Sequence, residues 1–138
     1  MALPGRTQVG VLVVDDQAPF RRVALDVVEA TPGFAAVGEA ASGEEALEVV
    51  GELRPDLVLM DVCMPVMDGL ETTRRLKAAH PEAVVVLISI DAPPELPSGI
   101  DACGARTLVR KQDFGPSALR RLWDAHGSGG LRARRSPG

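Results

Sequence analysis

Short apolar runs recur along the chain, and most of them end at or just before a polar residue. The clearest is Val9 to Val14, which is almost continuously apolar and β-branched and stops at Asp15-Asp16. Such a run is typical of a strand that is buried on both faces, as in parallel sheets. The same pattern recurs at Phe34 to Val37, at Leu57 to Met60 before Asp61, at Val84 to Ile88 before Ser89, and at Thr107 to Val109 before Lys111. The pattern therefore predicts five strands, of which the second and the fifth have the weakest signal.

Between these runs, apolar residues recur at the spacing of amphipathic helices. Ser42, followed three residues later by Glu45, resembles a capping box, and Asp68 is expected to cap a further helix. Four predicted helices each have their own set of such residues. These sets are Val23, Ala24, Val27 and Val28 in the first; Ala46, Leu47, Val49 and Val50 in the second; Leu70, Thr73, Leu76 and Lys77 in the third; and Leu119, Leu122 and Trp123 in the last. Strands that alternate with helices predict an α/β fold, a doubly wound five-stranded parallel sheet flanked by helices.

The predicted fourth helix has an unusual composition. It should lie between residues 91 and 102, a segment that contains Pro93, Pro94, Pro97 and Gly99. A proline in a helix interior removes a hydrogen bond and costs about 3 kcal/mol. We therefore expect this helix to be short, displaced or partly unwound.

Length and composition indicate one domain with two short flanks. The 138 residues are 46% hydrophobic and 25% charged, which is ordinary for a globular protein. We expect an N-terminal extension at residues 1–8, the domain at 9–126 and a flexible basic tail at 127–138. The net charge of -4 argues against a nucleic-acid surface on this chain.

The same composition bears on the cell compartment. No apolar run approaches the roughly 20 residues of a membrane span, and the first residues do not resemble a signal peptide. Cys63 and Cys103 do not suggest a disulfide framework and suit a reducing compartment. The expectation is a cytoplasmic protein with no membrane partner.

Polar residues that can do chemistry stand at four predicted strand ends, namely Asp15 and Asp16, Asp61, Ser89 and Lys111. In a parallel sheet the carboxyl ends of the strands meet at one edge, where ligands usually bind. Taken singly, each residue has a simpler explanation, because an Asp after a strand commonly caps a helix and a lone Lys is commonly a surface charge. Their occurrence at successive strand ends favours one shared site.

Three converging carboxylates repel one another, and a hard divalent cation relieves that repulsion. We therefore expect Asp15, Asp16 and Asp61 to bind Mg²⁺, with Lys111 adding positive charge opposite them. Such a site suits phosphoryl transfer to a carboxylate, in which Asp61 attacks in line and becomes an aspartyl phosphate. The hydroxyl of Ser89 can then donate a hydrogen bond to the new phosphoryl oxygen.

From about Val9 to His126, the sequence resembles the receiver domains of two-component response regulators. The matching pieces are Val14-Asp15-Asp16, the block Met60-Asp61-Val62-Cys63-Met64-Pro65-Val66-Met67-Asp68-Gly69, Ile88-Ser89, Gly104-Ala105 and Lys111. The block around Asp61 is highly specific, whereas the other pieces are weak singly but occur in the right order and at the right separations. The resemblance implies a flavodoxin-like, CheY-like fold.

The resemblance also implies partners and a metal. It implies that Asp61 accepts a phosphoryl group from a sensor histidine kinase or a phosphotransfer protein. It implies that Asp15, Asp16, Asp61 and the backbone carbonyl of Cys63 bind Mg²⁺, with Asp16 a more direct ligand than Asp15. It implies that Ser89 is the switch hydroxyl. It also implies that the phosphorylated domain acts on a downstream protein, whose identity the sequence does not give. Because receivers often pair, a homodimer is a further expectation.

The resemblance implies that Lys111 is the phosphate-binding cation. Three other positions depart from the usual receiver pattern. Leu108 stands where many receivers place a Tyr or Phe, Ile90 stands where a small residue is usual, and Gln112 follows Lys111 in place of Pro. We expect Leu108 to weaken the usual aromatic coupling and Ile90 to narrow access to Asp61. Asp91, together with Cys63, is expected to flank the water that hydrolyses the phosphorylated form.

Three functional hypotheses follow. The first is a phosphorylation-dependent receiver that works without an attached effector domain, although the tail equally fits the start of a linker. The second is a docking module independent of phosphate, motivated by Leu108, Ile90 and the prolines. The third is a phosphohydrolase, which is disfavoured because Cys63 stands where such enzymes carry a second Asp. We therefore predict no enzyme activity beyond the chain's own phosphoryl transfer and slow self-dephosphorylation.

Overall fold

The computed structural model describes residues 8–90 and 102–127. In chain order the elements are β1 (Val9–Val14), α1 (Ala18–Ala30), β2 (Phe34–Ala40), α2 (Gly43–Leu53), β3 (Leu57–Asp61), α3 (Gly69–Ala79), β4 (Val84–Ser89), β5 (Thr107–Arg110), a 3₁₀ turn (Lys111–Asp113) and α4 (Pro116–His126). All but the last residue of the predicted fourth helix, and nearly all of the predicted tail, lie outside the described residues. No helix in residues 8–90 or 102–127 is both long and apolar enough to cross a membrane.

The five strands form one parallel sheet in the order β2-β1-β3-β4-β5, which confirms the doubly wound fold. Strand β1 pairs with β2 on one side and with β3 on the other, so the winding direction reverses beside β1. The crevice outside the carboxyl ends of β1 and β3 is therefore the topological switch point, where open α/β sheets usually bind ligands.

Both faces of the sheet are covered, which is why its central strands are continuously apolar. One face packs against α2 and α3 through residues that include Leu12, Val14, Val58, Met60, Leu87, Ala46, Val50 and Leu76. The other packs against α1 and α4 through residues that include Val11, Val13, Leu59, Val86, Ala24, Val28, Leu119 and Trp123. Trp123 is buried, as its helical spacing predicted. This two-sided core fixes the directions of the strand ends.

The helix caps agree with their sequence signals. Ser42 Oγ accepts a hydrogen bond of 3.0 Å from the Glu45 N–H at the start of α2. The Glu45 carboxylate in turn accepts from the N–H of Ala41, one residue earlier than the usual capping box places it. Asp68 Oδ1 accepts from the Glu71 N–H at 2.9 Å and caps α3, so the sequence predicted both starts.

Strand β2 is longer than the sequence pattern indicates. It continues to Ala40, three residues past the predicted end, and stays paired with β1 as far as Val14. Gly38 and Glu39 interrupt the apolar run, so the sequence pattern did not indicate the last three residues of the strand. Because β2 is an outermost strand of the sheet, it can include a glycine and a charged residue. Its last residues belong to the strand through backbone pairing with β1.

Gly69, at the start of α3, allows that helix to approach the end of β3. A Cβ atom at this position would overlap the carbonyl oxygen of Asp61 and lie 2.9 Å from its carbonyl carbon. The Gly69 N–H also donates to the Val62 carbonyl at 2.8 Å. The atoms that a Cβ at Gly69 would meet are backbone atoms of Asp61 and Val62. A side chain at this position can therefore be accommodated only if β3 or α3 moves.

We expect Gly69→Ala to lower the free energy of unfolding by about 1–3 kcal/mol, the usual cost of overpacking a closed contact. Urea denaturation measures this directly. Gly51→Ala is the matched control, because Gly51 is an exposed position in α2 where an added methyl group would meet no atom closer than 3.9 Å. That control should stabilise the protein slightly through helix propensity. Equal stability of the Gly69 variant and the wild type would show that the approach is not tight.

Candidate functional site

Three carboxylates gather at the carboxyl edge of the sheet. Asp15 follows β1 directly, Asp16 is the next residue, and Asp61 is the last residue of β3. One oxygen from each lies within 4.8 Å of the others. Asp15 and Asp61 are 1% and 5% exposed, whereas Asp16 faces solvent. The structure therefore brings together the three acids that the sequence predicted, in a set of oxygen donors that suits a hard cation.

Lys111 enters the same cluster from the end of β5. Its Nζ lies 2.7 Å from Asp15 Oδ2 and 3.8 Å from Asp61 Oδ1. The Lys111 side chain is 11% exposed, so it is not the surface charge that a lone Lys would usually be. Apart from this ammonium, Asp15 Oδ2 has no hydrogen-bond partner among the described residues. Among the described residues, one ammonium thus lies against three carboxylates, which gives the cluster a net negative charge.

Asp15, besides lying in the carboxylate cluster, also forms a turn. Its Oδ1 accepts a hydrogen bond from the Gln17 N–H at 2.8 Å, just before α1. Its backbone carbonyl accepts from Arg21 at 2.8 Å, and the same guanidinium pairs with Glu39 at the end of β2. The turn-forming role expected of an Asp after a strand is therefore observed, while its role as a metal ligand stays a prediction.

Arg21, Glu39 and Phe20 were not found by sequence reasoning. Arg21 and Glu39 are 18 residues apart, and only the β1–β2 pairing makes them neighbours. Phe20 follows the helical pattern of α1, but its ring lies under Lys111, with Nζ 4.6 Å from the ring centroid. Nothing in the local sequence distinguishes these residues from ordinary helix or strand positions.

The Asp61 carboxyl group is electrostatically strained. Its pKa rises from the ordinary 3.8 to about 6, because burial and the negative charges of Asp15 and Asp16 raise it more than Lys111 and the backbone N–H of Cys63 lower it. Desolvation is the largest of these effects. Lys111 therefore does not fully offset the burial and repulsion at this carboxylate.

The loop after Asp61 has a tight turn at its tip. The Met67 N–H donates to the Pro65 carbonyl at 2.7 Å, which closes a γ-turn around Val66. Val66 has a φ of 70°, an unfavourable conformation for a β-branched residue, and its side chain is 95% exposed. The turn is followed directly by Asp68, the cap of α3.

The other predicted residues occupy distinct places. Ser89 is the last residue of β4 and pairs in register with Arg110 of β5. Leu108 packs against the core on the α2 and α3 face, and Ile90 is 61% exposed. Cys63 is exposed and its N–H donates to Asp61. Asp91 lies outside the described residues, and the roles proposed for all of these stay predictions.

Comparison with known proteins gives a consistent family. The response regulator receiver domain family matches residues 11–122. The chain is 51% identical over 107 residues to a protein-glutamate methylesterase/protein-glutamine glutaminase of Moorella thermoacetica, covering 78% of this chain and 23% of that protein. It is 41% identical over 101 residues to the response regulator GacA of Pseudomonas viridiflava, covering 73% of this chain and 47% of that protein. The chain thus spans less than half the length of these curated relatives.

Solved structures agree with the sequence relatives. The response regulator domain of Thermotoga maritima CheB superposes with a TM-score of 0.76 at 29% identity, covering 86% of this chain and 96% of that one. The CheX-CheY-BeF3-Mg complex from Borrelia burgdorferi gives a TM-score of 0.73 at 28% identity, covering 85% and 88%.

The strained Asp61 carboxylate predicts a pH-dependent stability in the absence of metal. Because the folded-state pKa is about 6 and the ordinary value is 3.8, the folded protein retains a proton that the unfolded chain releases between these pH values. The stability that this proton provides is lost as the pH rises through 6. Asp61→Asn should therefore raise the free energy of unfolding by about 1–3 kcal/mol at pH 8.

That gain should shrink as the pH falls toward 4, where the wild-type carboxyl is protonated as well. Urea unfolding of both proteins in EDTA across this range measures the difference. An Asn variant that is no more stable than the wild type at pH 8 would show that Lys111 fully compensates the buried charge.

Proposed function

The chain belongs to the response regulator receiver domain family, and from this premise we propose that it is a phosphoryl-accepting switch with Asp61 as the acceptor. The observation that carries the proposal is the arrangement at the carboxyl edge. There, a buried Asp61 lies with Asp15 and Asp16 in one oxygen cluster and 3.8 Å from the Lys111 ammonium. Such a site stabilises negative charge next to a carboxylate nucleophile.

The donor set fits Mg²⁺. Its carboxylate oxygens are hard ligands, and the raised pKa of Asp61 indicates that positive charge is lacking there without a cation. When bound by Asp15, Asp16, Asp61 and the carbonyl of Cys63, Mg²⁺ would supply that charge against the phosphoryl oxygens. The exposure of Asp16 leaves the cluster open to solvent on one side, so an ion can enter without unfolding.

The chain's own groups have separate tasks in the proposed transfer. An Asp61 oxygen attacks the phosphorus of a phosphohistidine, the P–N bond breaks, and its electron pair returns to the imidazole nitrogen of the donor. The ammonium of Lys111 offsets the charge on the phosphoryl oxygens, and the Cys63 N–H, which already donates to the Asp61 carboxylate, keeps that carboxylate oriented. The hydroxyl of Ser89 would donate to a phosphoryl oxygen and report the modification.

The proposed switch needs a phosphoryl donor and a downstream protein. The donor would be a sensor histidine kinase or a phosphotransfer protein, and the phosphorylated form would change binding to a downstream protein. We propose residues 9–126 as the functional unit and a role as a single-domain regulator, without enzyme activity beyond its own phosphoryl transfer. The alternative, a docking module independent of phosphate, is favoured by Leu108, which packs into the core where many receivers have a movable ring.

Incubation with acetyl phosphate and Mg²⁺, followed by intact mass measurement, tests the proposal. The wild type should gain one phosphoryl group, and Asp61→Asn or EDTA should abolish the gain. Asp56→Asn is the matched control, because Asp56 lies at the amino-terminal end of β3, away from the site. There its carboxylate accepts a hydrogen bond from the Gly10 N–H. An Asn side chain can also accept that bond, so this variant should be phosphorylated like the wild type.

A second donor and a binding assay separate the two candidate functions. If neither acetyl phosphate nor a phosphorylated histidine kinase modifies the wild type, the proposed function is wrong. Unchanged binding of a downstream partner by Asp61→Ala would then favour the docking module.

A further inference from the structure

The Lys111 ammonium is held between carboxylates and an aromatic ring. Its Nζ is 2.7 Å from Asp15 Oδ2, 3.8 Å from Asp61 Oδ1 and 4.6 Å from the centroid of the Phe20 ring. The side chain is 11% exposed, so these groups rather than bulk water form much of its surroundings. A cation over the face of a ring is attracted by the ring quadrupole, more strongly when water is excluded.

The position of the ring is fixed from two directions. Phe20 is half-buried and packs against the core on the α1 and α4 face. It also lies in the first turn of α1, a helix that has Pro19 near its start and follows the Asp15–Gln17 hydrogen bond. The short segment from Asp15 to Phe20 therefore positions both the carboxylate and the ring that contact the ammonium.

We propose that Phe20 is a positioning residue for phosphoryl transfer, because its ring keeps the Lys111 ammonium beside Asp61 without neutralising it. This inference rests on the proposed function. A lysine side chain is a flexible stem with a compact charge, and Asp15 alone would draw that charge away from Asp61. The ring attracts the cation but competes only weakly for its N–H donors. Those donors stay available for the phosphoryl oxygens that arrive at Asp61.

The face of Phe20 also shields one side of the ammonium from water. In such an environment a charge acts more strongly on its neighbours than it does in bulk solvent. The ring would thus raise the effect of Lys111 on the phosphoryl group as well as fixing its direction. A residue that only filled the core would do neither.

The rate of Asp61 phosphorylation by acetyl phosphate with saturating Mg²⁺ tests this inference. Phe20→Leu, which keeps an apolar side chain but removes the ring, should slow the reaction about tenfold. Phe20→Tyr should restore most of the rate. Phe34→Leu is the matched control, because Phe34 belongs to the same core and its ring lies under Arg120, 5.2 Å away. That variant loses apolar packing and a ring under a cation away from the site, and it should react like the wild type.

Fluorinated phenylalanines at position 20 supply a test that does not depend on folding of the Leu variant. Each added fluorine weakens the ring quadrupole with little change in shape, so the rate should fall stepwise with fluorine number. A rate independent of fluorination, or a Phe20→Leu variant as fast as the wild type, would overturn the inference and leave the proposed function intact. A wild type that neither acetyl phosphate nor a phosphorylated histidine kinase modifies would overturn both.

Discussion

An imbalance of charge at the edge of the sheet is the constraint on which the site depends. One oxygen from each of three carboxylates lies within 4.8 Å of the others, and in the part of the chain that the structure describes one ammonium faces them. Burial makes this arrangement costly, because a carboxylate out of water needs a partner, and the raised pKa of Asp61 is the result. A cation bound at these oxygens would relieve the repulsion. The charged form of such a cluster is stabilised by a bound cation more than by the surrounding protein.

The scaffold makes that costly arrangement possible because it is rigid. Apolar side chains pack on both faces of the central strands, so the ends of β1 and β3 cannot move apart to relieve the repulsion. Gly69 brings α3 against the backbone of Asp61, and Arg21 binds the carbonyl of Asp15 to the end of β2. Asp15 and Asp61 are thereby held at the topological switch point, where the reversal of strand order leaves room for a ligand.

Much of this could be predicted from the sequence, because a buried parallel strand needs a continuous apolar run and its end needs polar residues. That rule gives β1, β3 and β4 nearly to the residue, and it places Asp15, Asp16 and Asp61 together. It underestimates β2, whose edge position relaxes the need for apolar residues at Gly38 and Glu39.

The rule also gives no sign of the groups that hold the charged residues in place. Phe20 and Arg21 follow an ordinary helical pattern, and their roles come from neighbours that only the tertiary fold supplies. Lys111 itself was predicted at the site, but its burial against Asp15 and Phe20 depends on how β5 and α1 pack. Positioning contacts between distant segments are thus the part of a site that residue patterns reveal least.

We propose that Asp61, with the neighbouring acids and Lys111, forms one site for a phosphoryl group. The most direct test is ¹⁹F NMR of the protein with beryllofluoride, a stable mimic of the phosphoryl group. With Mg²⁺ present, the wild type should give signals of bound fluoride, and these should vanish in Asp61→Asn and when Mg²⁺ is withheld. Signals that persist in the Asn variant, or a wild type that never binds the mimic, would show that Asp61 is not the centre of a phosphoryl site.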